Sequence, residues 1–77
     1  ENNKIKKGLN DITIYETWKK ISDIKILERT KKVFTKGNKL YIQITSAPLR
    51  NELTNNKVSI MRKLNKEHKL IEDVYFI

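Results

Sequence analysis

From Leu40 to Thr45 the chain alternates: Leu40, Ile42 and Ile44 are apolar, with Tyr41, Gln43 and Thr45 between and after them. A period of two marks a half-buried strand. Residues 30–36 (TKKVFTK) form a second extended stretch, and Gly37-Asn38 between the two tolerate positive φ. A two-residue turn therefore joins them into a hairpin. With Lys36 and Lys39 flanking the turn, Thr35 faces Leu40, Phe34 faces Tyr41 and Val33 faces Ile42. Val33, Leu40, Ile42 and Ile44 then share the core face. Phe34 and Tyr41 pair on the other face, bordered by Lys32, Lys36, Lys39 and Gln43. A slip of one residue would exchange the faces, so the apolar set fixes the register.

On either side the period becomes helical. Ile14, Trp18 and Ile21 fall at i, i+4 and i+7, which predicts a helix over 11–22 with Trp18 as its core anchor. Thr13 with Glu16 fits a capping box, and Asn10 or Asp11 offers an alternative cap. Ser22-Asp23 breaks this helix, and 24–28 forms a short helical turn. Ser46 offers a capping hydroxyl and Pro48 suits a first helical turn. Beyond them Leu49, Leu53, Ile60 and Leu64 line one stripe, predicting a single long helix over 47–66. Its outer side carries Asn51, Asn55, Arg62 and Lys66, with Lys63 near by, and Arg50 and Lys57 lie along the stripe's border. His68, with no carboxylate, cysteine or second histidine patterned around it, reads as a surface loop residue. Residues 71–77 (IEDVYFI) form a closing strand. Val74 and Phe76 face the core, and Tyr75 joins Phe34 and Tyr41 if this strand extends the hairpin. Residues 1–10 read as a mobile basic arm or the end of a truncated helix. Residues 11–77 then make one α+β domain, α-(short α)-β-β-α-β, with the helices on one face of a three-stranded sheet.

Charge adds a partner class. The chain has 17 basic and 9 acidic residues, a net charge of +8 at pH 7, so a polyanion is the first ligand to consider. Only Arg29, Arg50 and Arg62 are arginine, whereas phosphate-binding surfaces favour that planar fork, and the excess of lysine also fits an A/T-rich coding sequence. Two surfaces compete as candidate nucleic-acid contacts. One is Lys32, Phe34, Lys36, Lys39 and Tyr41 on the hairpin, where aromatics can stack on unpaired bases. The other is Arg50, Lys57, Arg62, Lys63 and Lys66 on the long helix, with Lys19 and Lys20 on the first.

Several chemistries are excluded or disfavoured. With two glycines, Gly8 and Gly37, no phosphate-cradling loop, dinucleotide fingerprint or Gly-x-x-Gly clamp is possible. The absence of cysteine removes disulfides and thiolate metal sites. One histidine and scattered serines and carboxylates compose no nucleophile–base pair, so a non-enzymatic protein without metal or cofactor is expected. No apolar run is long enough to span a bilayer, and a cytoplasmic setting follows as an expectation.

Trp18, Ile21, Thr30, Lys39-Leu40-Tyr41-Ile42, the run Ser46-Ala47-Pro48-Leu49-Arg50-Asn51-Glu52-Leu53 and Leu64-Asn65 together resemble the bacterial DciA family, in its short Bacteroidetes-type form. The similarity spans about residues 13–77, and the serine-to-leucine run after the strand is its most specific part. Two glycines usual in the family are missing. Asp23, which tolerates a left-handed backbone, stands after the first helix, and His68-Lys69 stands after the long one. The resemblance implies a KH-like layered domain that assists loading of the replicative helicase DnaB and contacts both DNA and the helicase; the aromatics of the hairpin favour single-stranded DNA. The rival expectations are an RNA-binding KH-like module and a protein adaptor whose charge is compositional.

Overall fold

The hairpin forms in the predicted register. In the computed structural model, which describes residues 11–77, β1 (Thr30–Lys36) and β2 (Lys39–Ile44) run antiparallel. Val33 lies opposite Ile42, Phe34 opposite Tyr41, Thr35 opposite Leu40 and Lys36 opposite Lys39. Gly37 turns the chain at φ 64°. An added Cβ there would meet nothing within 4 Å, so the demand for glycine comes from the backbone angle alone. One irregularity escapes the alternation. The register shifts between Thr30 and Lys32, leaving Lys31 as the extra residue of a bulge. Thr30 beyond the bulge accepts a hydrogen bond on Oγ1 from Trp18 Nε1 (3.1 Å) and donates from the same atom to the Ile26 carbonyl (2.8 Å).

The closing strand β3 (Asp73–Phe76) pairs parallel to β2, giving the order β1-β2-β3. Leu40 lies opposite Val74, Tyr41 opposite Tyr75 and Ile42 opposite Phe76. The strand starts later than its hydrophobic pattern implied. Ile71 is buried, but its carbonyl accepts from Asn65 Nδ2 (3.0 Å) rather than from a strand, and the Glu72 amide donates to the Asn38 carbonyl (2.8 Å). Beyond Phe76 the ladder continues through Ile77, whose amide donates to Ile42 (2.9 Å) and whose carbonyl accepts from Ile44 (2.8 Å).

Parallel neighbours need a crossover, and two helices supply it where one was expected. They are α3 (Ala47–Asn55) and α4 (Lys57–Glu67), separated at Asn56. The apolar stripe runs across the junction, so periodicity alone shows no break. Thr54 Oγ1 bonds back to the Arg50 carbonyl (2.9 Å) and Asn56 Nδ2 to the Glu52 carbonyl (3.0 Å), side-chain competition that bends and ends helices. At the head of α3 the predicted cap is present, with Ser46 Oγ accepting from the Leu49 amide (3.4 Å) and Pro48 in the first turn.

The N-terminal layer holds α1 (Asp11–Ile21) and α2 (Ile24–Glu28). Thr13 lies within α1, so the Thr13–Glu16 capping box does not form. Asp11 instead accepts from both the amide (3.0 Å) and the hydroxyl (2.8 Å) of Thr35, pinning the head of α1 to the edge of β1. The alternative cap Asn10 and the arm 1–10 lie outside the described residues. Asp23 is extended at φ −83°, not left-handed, and caps α2 through the Ile26 amide (3.0 Å).

The four helices of the described residues pack on one sheet face, around Ile14, Trp18, Leu40, Ile42, Ile44, Leu53, Leu64, Ile71, Val74 and Phe76. Val33, Leu49 and Ile60 are only half-buried at the margin. His68 corrects another expectation. It stands at the end of α4 with Nε2 2.7 Å from Oγ1 of buried Thr17, tying α4 to α1. At φ −136° it needs no glycine, and Asn65 Nδ2 clamps the following turn by donating to the His68 (3.1 Å) and Ile71 (3.0 Å) carbonyls.

Candidate nucleic-acid interface

The sheet face opposite the helices gathers the hairpin candidates. Strand alternation puts Lys32, Phe34 and Lys36 of β1 beside Lys39, Tyr41 and Gln43 of β2, and the parallel register adds Asp73 and Tyr75 of β3. The three rings form a file across the strands. Phe34 and Tyr41 stack at 5.2 Å between centroids with an interplanar angle of 8°, and Tyr41 and Tyr75 at 5.2 Å and 28°. Lys32 Nζ lies over the Phe34 ring at 5.3 Å, and Lys57 Nζ over the Tyr75 ring at 4.8 Å. The sequence is thus Lys32, Phe34, Tyr41, Tyr75, Lys57, in which each ring face meets another ring or an ammonium. Aromatic pairs contribute about 0.5–1.5 kcal/mol each beyond buried area, so the file stabilises the sheet face that no described helix covers.

The two ends of the file differ. Lys57 reaches round the β3 edge from the start of α4 and forms a 2.8 Å ion pair with Asp73. That hydrogen bond holds the Asp73 carboxyl below its ordinary value of 3.8; partial burial opposes the shift, and the Val74 amide and the Tyr75 side chain add to it. A depressed carboxylate pKa stabilises the fold above the ordinary value and ceases to do so as pH falls through the folded one. Lys57→Met should therefore lower the melting temperature near neutral pH, with the gap to the parent closing below pH 3.8. A gap that persists in acid would show that Lys57 acts through packing. Lys32, at the other end, has no carboxylate partner among the described residues.

Of the helical candidates only Lys57 joins this face. Arg62, Lys63 and Lys66 are exposed on α4, in the opposite layer. Lys63 lines a groove of about 460 Å³ whose floor includes Trp18, Ile21, Leu49 and Ile60 and whose lining mixes Lys25 and Lys63 with Asp23 and Glu52. Mixed charge does not single out a polyanion. Lys19 and Lys20 face Glu16 (3.8 Å) and Glu67 (3.3 Å). Arg50 is turned inward: Nη2 donates to the Ile44 carbonyl (3.2 Å) while Nε is buried without a partner. Its place in the serine-to-leucine run is explained by fastening α3 to the end of β2.

Lys57 was a candidate on the helix and Tyr75 was expected on this face if β3 extended the hairpin; the site reading missed Asp73, Tyr75 as a contact, and the pairing of Lys57 with both. A tight turn fixes the register of a hairpin, but nothing local fixes that of a strand returning through a crossover. Among the described residues no group of side chains could hold a metal ion, and no helix is long and apolar enough to cross a membrane.

The family model described as Dna[CI] antecedent, DciA, matches residues 1–76. The chain belongs to the DciA family. Membership implies involvement in loading of the DnaB helicase in DNA replication. No match was found among curated proteins or among solved structures.

Proposed function

We propose that this DciA-family protein binds single-stranded DNA across its open sheet face, as a non-enzymatic part of cytoplasmic DnaB loading. The observation that carries this reading is the file Phe34–Tyr41–Tyr75, left uncovered by the described helices and flanked by Lys32, Lys36 and Lys39. A duplex keeps its bases stacked inside and would offer such a face only phosphates. A single strand also offers base faces, and stacking on an aromatic side chain contributes about 1–3 kcal/mol per base. Lysines on the rim follow the backbone as mobile point charges. Arg62, Lys63 and Lys66 supply long-range attraction rather than contact, since they occupy the other layer. DnaB is the protein partner in this reading.

Titration of labelled oligonucleotides at rising salt tests it. Three lysine contacts to a single strand predict a slope of log affinity against log salt of roughly −2, at about −0.7 per contact. Single-stranded DNA should bind more tightly than a duplex of equal length, and DnaB should be captured by the protein after nuclease treatment. A flat salt response or a preference for duplex would remove the sheet face as the site. Tighter binding to single-stranded RNA than to DNA would favour the RNA-module reading, and nuclease-resistant capture of DnaB without any DNA affinity the adaptor reading.

A further inference from the structure

Resting on that reading, we infer that the outward face of the Phe34 ring is the seat of one unpaired base, and that Lys32 is its movable cover. Tyr41 is closed to a base because Phe34 and Tyr75 stack on it from either side, both at 5.2 Å. Opening either gap would mean spreading hydrogen-bonded strands, whose spacing is set by the sheet ladder. Stacking room therefore exists only at the ends of the file.

At the β3 end the Tyr75 ring is covered by Lys57, which the 2.8 Å ion pair with Asp73 holds in place. A base arriving there must break that pair and leave Asp73 as an unneutralised carboxylate beside the incoming phosphates. At the β1 end the cover is Lys32, exposed, 5.3 Å from the Phe34 centroid and without a carboxylate partner among the described residues. Among the described residues β1 is the outer strand of the sheet, so no described strand lies beside Phe34; Asp11 occupies the edge at the neighbouring Thr35. A base that slides onto Phe34 exchanges a cation–π contact for ring stacking. The displaced ammonium swings to the phosphate of the same nucleotide, and its positive charge is kept in use. The file thus selects one end for the base and leaves the other as a structural clasp.

Three matched variants and two ligands test this. Phe34→Leu, Tyr75→Leu and Lys32→Met are first screened by melting temperature and circular dichroism. Each is then titrated with oligothymidylate and with an abasic deoxyribose-phosphate oligomer of the same length. Phe34→Leu should weaken oligothymidylate binding by roughly 5- to 150-fold, the range that loss of one stacked base implies, while abasic binding stays within about twofold. Tyr75→Leu, at the end closed by Lys57, should change binding of both ligands alike, with no base-dependent loss. Lys32→Met should reduce the salt slope by about 0.7 for both ligands while the preference for the base-bearing one remains. Should Phe34→Leu fail to fold, Phe34→Tyr and Phe34→Trp, which keep a ring, must retain the base-dependent preference. Equal base-dependent losses for Phe34→Leu and Tyr75→Leu, or a Phe34→Leu loss that ignores the presence of bases, would overturn the inference while leaving the sheet face as the site. A parent protein that binds neither oligomer would overturn the proposed function itself.

Discussion

Replacing Trp18 with alanine is expected to remove about 3–5 kcal/mol, a large share of the protein's stability. Trp18 is 1% exposed and lies 6.0 Å from Phe76, so it joins α1 to the far strand of the sheet. Its indole N–H also donates to Thr30, just beyond the β1 bulge. Truncating a buried aromatic costs about 3–5 kcal/mol. A chain of this length has about 4–12 kcal/mol in total, and a core this small has no second cluster to fall back on. Trp18→Phe fills part of the space but leaves Thr30 without its donor, and should cost less. Chemical denaturation followed by circular dichroism measures both. A Trp18→Ala midpoint equal to the parent's would mean that α1 is not fastened to the sheet through this residue. An equal loss for Ala and Phe would assign the effect to the Thr30 hydrogen bond rather than to packing.

The same residue shows what the amino-acid pattern can carry. Trp18 belongs to a stripe of period 3.6 and Leu40 to an alternation of period two, and each signal is complete within a few residues. The hairpin register was legible for a similar reason, because Gly37-Asn38 leaves one way to close the turn. The division of the crossover into α3 and α4 was not legible. Leu53 and Ile60 keep their stripe on both sides of Asn56, and the break arises from Thr54 and Asn56 bonding back to carbonyls one turn earlier. His68 gave no pattern because its partner, Thr17, lies 51 residues away in sequence. On the candidate face, Phe34, Tyr41 and the hairpin lysines could be read from local alternation. That their rings occupy one another could not, since it depends on Tyr75 arriving in parallel register and on Lys57 capping the end. A pair of outward aromatics thus looks like an open platform in sequence, and in three dimensions becomes a closed file with one usable end.

Exchanging Lys32, Lys36 and Lys39 together for glutamine should weaken single-stranded DNA binding by about 100-fold at roughly 0.1 M salt. The estimate follows from counterion release. With a slope of about −0.7 per contact, each lysine contributes roughly fivefold at that salt, and three multiply to about 10². The control is the triple exchange of Arg62, Lys63 and Lys66, which removes the same formal charge from the opposite layer. Those residues act only through the long-range field, which falls off over about 10 Å at 0.1 M salt, so the control should cost no more than a few-fold. All six side chains are exposed, and substitutions at such positions usually change stability by less than about 0.5 kcal/mol. Both variants should therefore melt near the parent, and any difference in affinity reports contact with the nucleic acid. The salt dependence separates the two cases further. The hairpin variant should lose most of the slope, whereas the α4 variant should keep it and shift the whole line slightly. The reverse ranking, with the α4 exchange abolishing binding and the hairpin exchange within about twofold of the parent, would move the interface to the helical layer.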